Sequence, residues 1–158
     1  MRIIKVIMVV GMALFLTFAV LGNVTMSDIG FGAMKTAVGM ETTFKHPGAM
    51  WRAITTPALL WTIFAGIVLF EALGAVLCWI GAARMWTARR DANGFEGAKS
   101  LAIMGLGITA AFYFVGWLVF AGEWFCMWQS QQLNVLPDAF RTFAAAMLIM
   151  IWVAGRDE

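Results

Sequence analysis

Apolar residues along this chain fall into four long blocks, not into the spaced positions of a soluble amphipathic helix. The blocks cover residues 6–22, 57–81, 100–122 and 138–154. Each is about 17 to 25 residues long, enough for an α-helix to cross roughly 30 Å of hydrocarbon at about 1.5 Å per residue. The pattern predicts an all-α membrane protein, residues 1–158 forming one domain of four transmembrane helices in an up-down-up-down bundle. Arg2 and Lys5 before the first block give it the outline of a signal peptide. Ala19-Val20-Leu21 is a poor cleavage pattern because it ends in a bulky residue, so an uncleaved first span is expected.

Polar connectors separate the blocks. In the first, Ser27 and Asp28 offer an N-cap region, followed by Phe31, Met34 and Val38 at helical spacing. This predicts a short amphipathic segment lying at the membrane surface. His46-Pro47-Gly48 is expected to turn the chain, and Pro57 suits the first turn of the second span. The connector 82–99 carries Arg84, Arg89, Arg90 and Lys99, with Asn93-Gly94 as a turn signal. Pro137 and Asp138 suit the start of the fourth span, and Gly155 its C-cap.

Basic residues orient the spans. With both termini inside, Arg2, Lys5, Arg84, Arg89, Arg90, Lys99 and Arg156 face the cytoplasm, against Lys35, Lys45, Arg52 and Arg141 outside. Seven against four predicts cytoplasmic termini. Tryptophans favour the interface, and Trp51, Trp61, Trp124 and Trp128 fall at outer span ends while Trp79, Trp86 and Trp152 fall at inner ones.

Composition adds weight to the membrane reading. Hydrophobic residues make up 62% of the chain and charged ones 13%, too little polar surface to cover a soluble core of this size. A net charge of +2 gives no footprint for nucleic acid. Cys78 and Cys126 are predicted on opposite sides of the membrane, which rules against a bridge between them.

A resemblance emerges from Met50-Trp51-Arg52-Ala53-Ile54, Glu71, Gly122-Glu123-Trp124-Phe125, Trp128-Gln129-Ser130 and Ala139-Phe140-Arg141. Together these resemble a family of bacterial predicted small integral membrane proteins, a domain of unknown function. The resemblance covers nearly the whole chain. It implies a four-span membrane protein of bacterial type and no particular activity; the expected location is the bacterial inner membrane.

Candidate chemistry centres on Glu71, inside the second block and about ten residues from its inner end. An ionisable group at that depth is costly unless neutral or paired, which makes it a functional candidate by default. No basic residue lies at comparable depth within a span to pair with it; Arg141 stands at the start of the fourth. Thr17, Thr109 and Tyr113 stand at comparable depth as hydrogen-bond partners. Glu71, Gly74, Cys78 and Gly81 share one helix face, and small residues there let a neighbouring helix approach closely. The bland reading is a neutral carboxyl joining helices; the sharper ones are a proton relay, a substrate site or a subunit contact.

A second polar cluster of Glu123, Asp138, Arg52 and Arg141 is expected at the outer surface, where Glu123 pairing with Arg52 or Arg141 would lock the two hairpins together; the alternative is a shallow site for an anionic ligand or a periplasmic partner. His46 is the single histidine, too few for a pair of axial haem ligands, and no cofactor or metal site is expected. Nucleotide-loop, serine-hydrolase and zinc-protease motifs are absent from the sequence, which gives enzyme chemistry no support. The readings left are an accessory or interaction subunit of a membrane complex and an oligomeric small-solute or proton-coupled transporter using Glu71. Expected partners are the lipid bilayer and other membrane subunits or further copies of the chain.

Overall fold

The computed structural model describes residues 1–156, which are helical with no strand among them. Seven α-helices follow in order: α1 Arg2–Thr25, α2 Ser27–Val38, α3 Pro47–Met50, α4 Pro57–Ala88, α5 Ala92–Ala98, α6 Ser100–Ala111 and α7 Leu136–Ala154. A π-helical segment, Phe112–Trp124, continues α6 without a break, and a short 3-10 turn, Met127–Gln129, follows it. Four stretches are long and apolar enough to cross a membrane: Arg2–Thr25, Pro57–Ala88, Ala92–Trp124 and Leu136–Ala154. Each contains one of the four blocks anticipated from sequence.

Helices run past the apolar blocks at several ends. α4 has 32 residues, about 48 Å at the α-helical rise, and so extends well beyond the hydrocarbon thickness. Most of the expected connector 82–99 is therefore helical. Ala82, Ala83, Met85 and Ala88 are strong helix formers, and arginines among them reach water on long stems while the backbone stays wound. Asn93-Gly94 is not a turn but the opening of α5. The Asp91 side chain accepts from Asn93 N–H at 3.3 Å and Gly94 N–H at 2.8 Å, satisfying two donors at that helix start. With α4 ending at Ala88, Trp79 is well inside the helix, where its Nε1 donates to Thr17 Oγ1 at 3.0 Å.

α2 begins one residue after α1. Neither Ser27 nor Asp28 caps it; Met26 occupies the N-cap position and no side chain bonds the free donors. Met34 and Val38 are buried, and Phe31 stacks on Trp61 with ring centroids 4.3 Å apart. The amphipathic face thus closes onto the start of α4. His46 accepts from Gly48 N–H at 3.2 Å and opens the single-turn α3, so His46-Pro47-Gly48 is a helix start. Pro137 sits in the first turn of α7 with Asp138, and Gly155 is the C-cap, in extended rather than left-handed conformation.

α4 packs between α1 and α6, and α7 packs against α6 and the π segment. One continuous core runs from Val6 and Val9 through Cys78, Met85, Phe95 and Leu106 to Ile149 and Val153. A separate cluster of Met34, Val38, Met40, Leu60, Phe64, Phe125 and Cys126 fills the opposite end. Lys5 Nζ donates to Gly155 O at 2.6 Å, which brings the start of α1 to the end of α7. We call this the terminal end, and the end carrying α2 and α3 the distal end.

Candidate functional site

Glu71 lies near the midpoint of α4 and is 5% exposed. Its Oε2 accepts from Asn23 Nδ2 at 2.8 Å, and its Oε1 accepts from the Tyr113 hydroxyl at 3.2 Å. Asn23 belongs to the last turns of α1, and Tyr113 is the second residue of the π segment. One carboxyl therefore ties three spans together at the same level. Both its oxygens are engaged by donors of the chain itself, and no ion pair reaches it among the described residues.

Thr109 is buried but does not join the group. Its hydroxyl donates to Gly105 O one turn back, at 2.8 Å. It serves the helix contact instead: a Cβ on Gly74 would stand 2.7 Å from Thr109 Oγ1 and 3.1 Å from Leu16 Cδ1. Gly81 lies against the Ala102 backbone so closely that any Cβ would overlap it, and a Cβ on Gly105 would stand 2.9 Å from Cys78 Sγ. The face Glu71, Gly74, Cys78, Gly81 is thus the buried seam against α6, with small residues answering from Ala102, Gly105 and Thr109. Thr17 also lies outside the group, its hydroxyl donating to Ala13 O at 2.7 Å.

At the distal end the anticipated pairing across the hairpins is absent among the described residues. Arg141 pairs with Asp138 of its own helix, both side chains exposed. Arg52 Nη1 donates to Trp124 O at 3.4 Å, and its guanidinium lies 4.9 Å from the Trp124 ring and 5.6 Å from that of Trp51. Glu123 is exposed and forms no described ion pair. Arginine prefers an indole face to an exposed carboxylate here because stacking keeps the flat cation partly dry. The connectors are joined by neutral bonds instead. Thr42 and Ser130 hydroxyls are 2.7 Å apart, and Phe44 N–H donates to Gln129 Oε1 at 3.0 Å.

A cavity of about 550 Å³ opens between the distal half of α4, the π segment and α2. Its floor is the stacked pair Phe70 and Phe112, 5.6 Å apart, and its walls include Ile63, Gly66, Ile67, Gly116 and Phe120. Phe70, Phe120 and Trp124 are 51%, 52% and 42% exposed, so the cavity opens sideways out of the bundle. Glu71 and Tyr113 immediately follow Phe70 and Phe112 in the chain and bond to each other behind that floor.

Residues 1–156 match the family described as predicted small integral membrane protein, DUF2165. The chain belongs to that family. The match spans all the described residues, including the three helices that meet at Glu71. No curated protein and no solved structure is matched by the chain.

Two polar groupings escaped the sequence reading. The apolar block stops at Gly22, which leaves Asn23 outside it, yet α1 continues to Thr25. An amide at the edge of an apolar block, opposite a lone acid in another, is a signal that points to the bond. At the terminal end, Lys5 and Lys99 are 3% and 2% exposed, and both donate to Gly155 O, Lys99 at 2.8 Å. Lys99 also pairs with Glu96 at 2.7 Å. Cations at a helix C-terminus meet its negative dipole end and unsatisfied carbonyls. Cys78 and Cys126 are both free and buried. No group of three His, Cys, Asp or Glu side chains able to hold a metal occurs among the described residues.

Proposed function

We propose that this integral membrane protein works as a non-enzymatic accessory subunit of a membrane complex. We place it in a bacterial inner membrane with both termini cytoplasmic, on the excess of basic residues at the terminal end. The observation that carries the reading is the closed state of Glu71. Its two oxygens are held by Asn23 and Tyr113, so the acid that would serve transport is engaged in joining α1, α4 and the π segment. What remains is a helical bundle with hydrophobic flanks, suited to packing against other membrane proteins. Extraction from native membranes in a mild detergent, followed by mass measurement, tests this. A constant partner in fixed ratio is expected, retained by Glu71→Gln. Recovery as a lone monomer or homo-oligomer in every detergent overturns it.

One observation favours a second reading, an oligomeric proton-coupled transporter. Glu71 and Tyr113 stand directly behind the aromatic floor of an open cavity, where a movement of Phe70 would expose them. On that reading Glu71→Gln abolishes a proton-coupled flux in vesicles while folding is intact. A silent Glu71→Gln leaves the accessory role.

A further inference from the structure

We propose that the distal cavity holds one acyl chain of an anionic phospholipid, whose phosphate is bound at the rim by Arg52. The inference is independent of the accessory role. It rests on three properties of the same place.

The first is shape. A cavity of about 550 Å³ falls in the range of about 300–1,000 Å³ typical of small-molecule sites. It extends along α4 from Ile63 to Phe70, about 10 Å at the α-helical rise. The Phe70–Phe112 stack closes it below, and α2, with Met34 and Val38, closes it behind. An elongated, laterally open apolar space of this kind suits a single hydrocarbon chain. The second is lining. All the residues around it are apolar or aromatic, so water gains nothing there, and the sideways opening faces the bilayer.

The third is the charge at the mouth. Ile54 and Trp124 edge the cavity, and Arg52 stands two residues from the one and stacks on the other. Arg52 Nε is buried and has no hydrogen-bond partner, and no described carboxylate pairs with this guanidinium. A buried, unsatisfied cationic donor is costly. Arg52 as a whole is half-buried, so the rest of its guanidinium stays within reach of a phosphate oxygen, which matches the fork. Positive rim and apolar slot together fit an amphiphile with an anionic head and a hydrocarbon tail. Glu123, next to Trp124, is exposed and sets the outer limit of the headgroup position.

The test is native mass measurement of the full chain in mild detergent, with phosphatidylglycerol or phosphatidylcholine added. Wild type is expected to keep one phosphatidylglycerol per chain and to hold phosphatidylcholine at least ten-fold more weakly. Arg52→Gln should lose that preference, and Gly66→Leu, which extends into open space in the cavity, should lose retention of both lipids. Unfolding in sodium dodecyl sulphate separates lost binding from lost fold. If Gly66→Leu does not fold, Gly116→Val blocks the same cavity from the opposite wall. Equal retention by wild type and the blocked variant overturns the proposal, as does equal binding of the two lipids. Inorganic phosphate displacing the lipid headgroup without loss of the chain would show a free anion site and also overturn it, and so would a lipid-free dimer that occludes the cavity.

Discussion

The two halves of α4 meet their neighbours in opposite ways. Towards the terminal end, Gly74, Cys78 and Gly81 bring the backbone of α4 against α6 with no space for another atom. Towards the distal end, the same helix presents Ile63, Gly66, Ile67 and Phe70 to a cavity, and a Cβ on Gly66 would meet nothing within 4 Å. Both halves of α4 are predominantly apolar, so hydrophobicity alone does not decide between contact and separation. Side-chain size does. Lipid tails solvate leucine as well as a neighbouring helix does, so spans close up where small residues allow dense packing and stay apart where large aromatics hold them off. Glu71 stands at the boundary, where the spans cease to touch through backbone and are joined by hydrogen bonds.

Substitution on the two sides of that boundary separates the halves. Gly81→Leu should produce the largest effect, because its side chain meets the Ala102 backbone. Overpacking of a dense core costs about 1–3 kcal/mol or more, and here we expect at least the upper figure, seen as a collapse of the unfolding midpoint in sodium dodecyl sulphate. A wild-type midpoint would refute the close seam. Glu71→Leu comes next. It leaves the Asn23 amide and Tyr113 hydroxyl buried without an acceptor, at a cost of about 1–2 kcal/mol. Glu71→Gln, which keeps one carbonyl acceptor, should lose about half of that, in line with the weak average of hydrogen bonds between membrane helices. Equal losses would show that the carbonyl kept by Glu71→Gln contributes nothing and that both carboxyl bonds are needed.

Smaller effects are expected beyond the boundary. Gly66→Ala should stabilise by about 0.5 kcal/mol through helix propensity alone, raising the same midpoint slightly; a marked loss would mean that the cavity is closed in solution. Asp138→Asn should be nearly silent by thermal unfolding, since exposed pairs contribute about 0–1 kcal/mol. A clear destabilisation would place the Arg141–Asp138 pair at a contact that the isolated chain does not reveal.

The sequence carried some of this directly and concealed the rest. Four spans were plain because apolar blocks of that length have no other stable use. The face Glu71, Gly74, Cys78, Gly81 was plain because helical geometry makes those positions neighbours, and each is buried. Thr109 and Tyr113 stood at similar depth, yet only Tyr113 reaches Glu71, because a threonine in a helix bonds its own preceding turn. Arg52 is one of two candidates for a carboxylate in the sequence and stacks on indole in the structure, a choice that depends on which rings tertiary structure brings beside it. The winding of residues 112–124 left no trace, because apolar residues on every side of a span erase the periodicity that distinguishes one helix type from another.

That winding has a bearing on how the third span tolerates changes in length. π-helical turns are rare and mostly single, but here they run for 13 residues. More residues per turn means a slower climb per residue, so the stretch is compressed relative to an ordinary coil. Removing one residue between Gly116 and Phe120 would let it relax and lengthen, turning Trp124 away from the guanidinium it now covers. Tyr113, on the near side of the cut, would keep its place. An insertion or deletion scan through this stretch would show whether it is a reserve of slack or a fixed setting of the cavity wall.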